Sequence, residues 1–219
     1  ADPRWMRLEP SALLDDSFLK DLARTIRMES VAKSAPYIPH DGGTVYLTAA
    51  DDRGMMVSYI QSNYNGFGSG IVIPGTGISL QNRGAGFSLQ PGHPNCVAGG
   101  KRPYHTIIPG FVMKDGAPLM SFGVMGAHMQ AQGHLQMMLR IFEGGQNPQT
   151  AADGPRWYLD EDSRLSLEPG YGPVIREELQ HRGHILTAAA PASLFGGAQL
   201  IYRLPSGYCA ASDPRKDGQ

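Results

Sequence analysis

The chain has 219 residues, 41% of them hydrophobic, so it can build one large core or two small ones. Nineteen basic residues against twenty acidic ones leave a net charge of −1, which argues against nucleic acid as a partner. No apolar run approaches the ~20 residues that a membrane-spanning helix needs, and two cysteines, Cys96 and Cys209, are too few for a disulfide framework and read as free thiols.

The opening "ADPRWMRLEP" lacks a charged stretch followed by an apolar one, so no signal peptide is expected; the absence of an initiator Met suggests a fragment. Phe18, Leu22 and Ile26 recur at spacing four and predict a helix over about 16–28. Residues 29–43 are rich in Ser, Pro and Gly and read as an exposed connector. "TVYLTAA" and "MMVSYIQ" flank "DDRG" as a hairpin. "GIVIPGTGISLQN" predicts two short strands about a Pro-Gly turn, and "IIPGFVMKDGAPLMSFGVM" a hairpin about "KDG".

A helical stripe of Met129, Leu135, Met138, Leu139 and Phe142 follows, stopped by Gly144-Gly145. Asn147 and Pro148 suit the cap and first position of a short helix. "LSLEPG" reads as a strand, "GPVIREELQHRG" as a helix ended by Gly183, and "AQLIYRL" with "GYCAAS" as a last hairpin. Hairpins separated by grouped helices give a layered α+β domain with antiparallel sheets and no internal repeat.

Several glycine-rich motifs fail. Ile71 stands where G-x-G-x-x-G needs its last glycine, Arg102 replaces the Ser/Thr of a phosphate loop, and Phe67 breaks G-x-S-x-G around Ser69. Of seven histidines none sits in H-E-x-x-H, and His128 and His134, six apart, face different sides of their helix. No metal and no cofactor are expected.

Thr44 heads a strand directly after Gly42-Gly43. A threonine there is ordinarily only a good β former. Were the preceding peptide bond broken, however, its α-amine, with a reference pKa of about 7.7–8.0, would be a general base beside its own hydroxyl.

From Thr44 onward the chain resembles the small subunit of the γ-glutamyltransferase (γ-glutamyltranspeptidase) family. The segments "TVYLTAADDRG", "FGSGIVIPGTGI", "LQNRGAGFS", "GKRPYHTIIP", "KDGAPL", "GVMGAHMQAQG", "GPRWYL" and "ASDPRKDG" carry the likeness, in family order and spacing. Residues 1–43 resemble the end of that family's large subunit. The resemblance implies a four-layer αββα N-terminal-nucleophile hydrolase fold, with residues 44–219 as its catalytic region and autocatalytic cleavage between Gly43 and Thr44. Thr44 would form an acyl-enzyme ester and release it to water or an amine.

The family's second hydroxyl matches Ser62, 18 positions on, and its oxyanion-hole amides match Gly126 and Ala127. Among residues that in the family grip the substrate, an Asn becomes Tyr64, a Gln becomes Arg83, the ammonium-binding Asp becomes Gly86, and a Ser-Ser pair becomes His105-Thr106. The expected substrate is a γ-glutamyl or related small-carboxylate amide; as an alternative, these changes suit a carboxylate without an α-ammonium, as in a divergent branch acting on oxamate or on acylated β-lactam nuclei. The implied partners are that small-molecule substrate and the large-subunit portion of the same precursor, with the resulting heterodimers able to form a homo-oligomer. A competing reading is an uncleaved, non-catalytic remnant serving as a binding scaffold, raised by the residues preceding Thr44.

Overall fold

The computed structural model describes residues 1–31, 43–187 and 190–218; the predicted connector falls almost wholly outside them, Gly42 included. Helix α1, Asp16–Ala23, starts where the Asp15 carboxylate accepts the Phe18 amide at 2.9 Å. It stops five residues short of the predicted end, and the stripe that predicted it is exposed at Phe18, Leu22 and Ile26.

Strands β1 (Gly43–Ala50) and β2 (Met56–Tyr64) form the first hairpin, its turn held by the Asp51 carboxylate, which accepts the Arg53 and Met55 amides. The pair of strands predicted over 71–82 reduces to one isolated antiparallel bridge, Val72 to Ser79. Glycines at 70, 75 and 77 all take positive φ there, so the backbone turns too often to hold a ladder.

β3 (Gly110–Lys114) and β4 (Ala117–Met125) turn at Asp115-Gly116, both at positive φ as a two-residue hairpin loop requires. β8 (Gly197–Arg203) and β9 (Tyr208–Ser212) complete a four-stranded antiparallel sheet in the order β3-β4-β8-β9. The intervening β5 (Trp157–Leu159), β6 (Arg164–Leu167) and β7 (Ile185–Leu186) make a separate sheet whose β6–β7 pair is parallel. That pairing departs from the all-antiparallel expectation because the crossover helix α4, Pro173–His181, lies between the two strands.

Helices α2 (Met129–Met138, continued by a π turn to Glu143) and α3 (Pro148–Asp153) cover one face of the four-stranded sheet, and the β1–β2 hairpin covers the other. The main core, including Met120, Phe122, Val124, Met137 and Leu200, lies among β4, β8 and these helices. Hairpin and sheet approach closely: a Cβ on Gly123 would stand 2.4 Å from the Tyr46 ring, so only glycine fits. The predicted face of α2 is offset. Leu135, Leu139 and Phe142 are exposed, whereas Gln130, Gly133 and Gln136 are buried.

A buried charge cluster joins the distant ends of this region. Arg156 and Asp213, both fully buried, form an ion pair, and Arg215 bridges Asp213 and Glu168. Arg156 also donates to the Phe195 carbonyl at 3.0 Å, and the Asp213 carboxylate accepts the Ala198 amide at 2.8 Å, so the cluster fixes the chain entering β8.

Candidate active site

Thr44 stands one residue into β1 at an irregularity of the ladder. Gly43 pairs with Tyr64 but Thr44 pairs with Ser62, leaving Asn63 as the extra residue of a bulge. Such a bulge re-aims the adjoining side chains, and here the two hydroxyls meet: Thr44 Oγ1 donates to Ser62 Oγ at 3.1 Å. Ser62 Oγ also accepts the Tyr64 amide at 2.9 Å. Tyr64 is bent to φ +76°, a left-handed conformation that side chains other than glycine adopt at a cost of order 1–3 kcal/mol.

The surroundings hold Tyr64 there. The Arg83 guanidinium lies 5.3 Å from the centre of its ring, and Asn82 ties the two segments by accepting the Asn65 amide and donating to the Asn63 carbonyl. Arg83 is buried, donates through Nη1 to Thr106 Oγ1 at 3.1 Å, and leaves Nη2 without a partner among the described residues. Burial pushes its pKa below the ordinary arginine value. The same burial raises the Tyr64 hydroxyl, with the nearby Arg83 charge opposing it.

Gly126 and Ala127 link β4 to α2. Neither amide donates to another described residue, while their carbonyls accept the Met129 and Gln130 amides at 2.9 and 3.2 Å. Ala127 sits at φ +48° and Gly126 at φ +127°. Behind them, Gly196 also takes positive φ, and a Cβ on it would stand 2.2 Å from the Met125 carbonyl oxygen. The turn is therefore backed by the segment that the buried charge cluster fixes. Thr48 contacts Ser121 and Tyr46 covers Gly123, so each two-residue step back along β1 advances two residues along β4. Continuing back along β1 therefore leads toward the end of β4 that the amide turn follows.

Of the substrate-contact candidates, Tyr64, Arg83 and Thr106 thus join Thr44 and Ser62 in one connected chain of contacts. His105 does not: it is exposed, with Nδ1 3.4 Å from the Pro103 carbonyl oxygen. Phe67, close in sequence to Tyr64, is 88% exposed. Among the described residues no three potential metal ligands cluster.

Sequence reasoning passed over a cleft of about 670 Å³ beside this chain, lined by Tyr64, Tyr104 and His128, by residues 85–88, 90 and 93–95 and by Met6, Arg7 and Leu8. Its N-terminal wall is fastened in place. The buried Asp2 carboxylate accepts the Arg102 amide at 3.0 Å, Arg4 donates to the Gly100 carbonyl at 3.0 Å, and Lys101 Nζ lies 4.6 Å over the Trp5 ring. No periodicity in the first dozen residues signals these contacts; an acidic residue two positions before an arginine was the available hint.

A profile of the gamma-glutamyltranspeptidase family matches residues 1–219. The chain belongs to this family. Among its relatives, the oxamate amidohydrolase proenzyme of Klebsiella pneumoniae subsp. pneumoniae is 36% identical, the match covering 99% of this chain and 42% of that protein. The crystal structure of a cephalosporin acylase from Bacillus halodurans is 44% identical with a TM-score of 0.87, covering 100% of this chain and 40% of that one. A gamma-glutamyltranspeptidase from Pseudomonas nitroreducens, at 24% identity and a TM-score of 0.70, covers 80% of this chain and 96% of that chain, and shows the shared fold. The N-terminal-nucleophile hydrolase architecture of the γ-glutamyltranspeptidases is thus the fold of this chain, which spans about 40% of the relatives it matches over its full length.

Proposed function

We propose that the chain carries the catalytic centre of an N-terminal threonine amidohydrolase, made by cleavage before Thr44. The observation that carries this reading is the Thr44–Ser62 hydroxyl pair at a strand bulge one bond from Gly43. With the amine of residue 44 free, that amine takes the hydroxyl proton and Oγ1 attacks the amide carbonyl. The Gly126 and Ala127 amides face the developing oxyanion, where loss of one such donor typically costs about 10²–10³ in rate. The ammonium returns the proton to the departing amine, leaving an ester that water or an acceptor amine cleaves.

The acyl part is a small carboxylate without an α-ammonium. Arg83 supports this, because a buried cation without an acidic partner among the described residues is costly and its Nη2 calls for an anion. Glycine at 86, where the family pattern has an ammonium-binding aspartate, points the same way, as does the likeness to the oxamate amidohydrolase proenzyme. Residues 1–43 then belong to the large chain of the mature enzyme and 44–219 to the small one.

Protein made from the complete gene should show, by mass spectrometry, a new N-terminus at Thr44, and Thr44→Ala should abolish both cleavage and turnover. Cleavage surviving that change would remove Thr44 from its role, and an active enzyme with the bond intact would leave the scaffold reading standing. Oxamate should be turned over in preference to a γ-glutamyl anilide; the opposite preference removes the carboxylate assignment.

A further inference from the structure

The left-handed conformation of Tyr64 persists only where its surroundings over-determine it. Its two torsions relate two rigid peptide planes, one joining Asn63 to Tyr64 and one joining Tyr64 to Asn65. Asn82 holds both planes. Its amide donates to the Asn63 carbonyl at 3.1 Å, and its Oδ1 accepts the Asn65 amide at 3.0 Å. The first plane also carries the Tyr64 N–H, on the edge opposite the Asn63 carbonyl in a trans peptide. A bond from Asn82 to one edge therefore aims the other at Ser62 Oγ, which it reaches at 2.9 Å. The segment bearing Asn82 is itself closely packed: a Cβ on Gly68 would stand 2.3 Å from the Leu80 carbonyl oxygen, which accepts the Ser69 amide at 2.8 Å. Asparagine in front of a helical turn, here Arg83–Gly86, ordinarily caps that turn with its own side chain. Asn82 makes no such bond and gives its oxygen to Asn65 instead.

Resting on the amidohydrolase reading, we propose that Asn82 is a positioning residue for the Thr44 nucleophile. It acts through two others: Asn82 sets the Tyr64 turn, the Tyr64 amide holds Ser62 Oγ, and Ser62 Oγ receives the Thr44 hydroxyl at 3.1 Å. Without the Asn82 oxygen the second plane is released. Tyr64 then relaxes toward the negative φ that side chains favour, and its amide turns away from Ser62. Thr44 Oγ1 loses its fixed direction, and a misplacement of ~1 Å at a reacting group costs up to ~10²-fold in rate. Arg83 keeps its bond to Thr106 at 3.1 Å, so carboxylate binding is disturbed less than the rate.

The test compares the full-length protein with its Asn82→Ala, Ser62→Ala and doubly substituted variants, reading the rate of cleavage before Thr44 and kcat for oxamate. Asn82→Ala should slow both about tenfold while the KM for oxamate moves less than about threefold. Asn82→Asp, which keeps the accepting oxygen, should stay within about threefold of wild type in both rates. In the Ser62→Ala background, Asn82→Ala should add less than about twofold, because a residue acting through Ser62 has nothing left to position. Full additivity in that cycle, an aspartate variant as slow as the alanine one, or rates within about twofold of wild type in Asn82→Ala each overturn the inference. Should the alanine chain fail to fold, Asn82→Ser, whose oxygen falls one bond short of Asn65, takes its place in the same cycle. Hydrogen exchange gives a readout that needs no turnover. The Tyr64 amide should exchange at least about tenfold faster in Asn82→Ala while the amides of residues 45–49 keep their rates, and equal exchange also overturns the inference. A wild-type protein that neither cleaves itself nor consumes oxamate fails the amidohydrolase reading instead, and exchange then decides by itself whether Asn82 holds the turn.

Discussion

Ser62 Oγ stands between two donors, the Thr44 hydroxyl and the Tyr64 amide, and its position depends on a backbone conformation that tyrosine rarely adopts. Removing the oxygen leaves both donors to find other partners, an effect of about 1–3 kcal/mol for buried groups. Ser62→Ala should therefore lower kcat about 10–100-fold with little change in KM, and Ser62→Thr should restore most of it. A kcat within twofold of wild type in the alanine variant would show that the hydroxyl takes no part. Thr44 and Ser62 could be picked out in the sequence because spacing and chemistry coincided. Tyr64 could not be assigned its position, since nothing in "SNYNG" says that a bulge at Asn63 turns the ring toward Arg83. His105 and Thr106 are adjacent yet part company: one is exposed, the other buried against Arg83, a distinction set by the path of an irregular segment.

At the scale of elements, hairpins were legible wherever a turn had its own chemistry, as at Asp115-Gly116, and illegible where glycines were too many, as over 71–82. The α2 face was misread because amides carry its packing. Gln136 donates to the Trp157 carbonyl and accepts its amide, and Gln132 does the same with Leu159, so the helix is stitched to β5 by polar residues that periodicity counts as solvent-facing. His134 on the same helix accepts the Val124 amide at 3.2 Å and packs on Phe122, and burial brings its pKa down to about 4. The unfolded chain regains a proton near the ordinary value of about 6.5 while the fold resists it. Its contribution is therefore complete above about pH 6.5 and is lost as pH falls toward 4, with a slope of about 1.4 kcal/mol per pH unit. His134→Gln, which keeps an acceptor and cannot be protonated in this range, should flatten the fall in urea midpoint between pH 6.5 and 4. An unchanged slope would place the acid sensitivity elsewhere.

At the scale of the molecule, three of the four layers of the N-terminal-nucleophile fold lie within the described residues: the β1–β2 hairpin, the four-stranded sheet and the α2–α3 layer. The outer face of the hairpin is apolar and exposed at Val45, Leu47, Val57 and Tyr59. The layers were legible from alternating hairpins and helices; the charge cluster was not, because its members are spread from Arg156 to Arg215 and meet only in three dimensions. Asp213→Ala strands Arg156 in an apolar interior and should cost about 3–5 kcal/mol in urea unfolding. A loss below 1 kcal/mol would mean that Glu168 alone satisfies both arginines.

The bulge at the head of β1 bears on what happens if the chain is severed there. Residues 44–50 remain laddered to residues 56–62, so the newly made terminus would be born anchored, its amine kept beside the hydroxyl by main-chain bonds already in place. The earlier stretch from Asp2 to Arg7 would still be moored to residues 92–102 by its own contacts. Scission would then leave both shores standing.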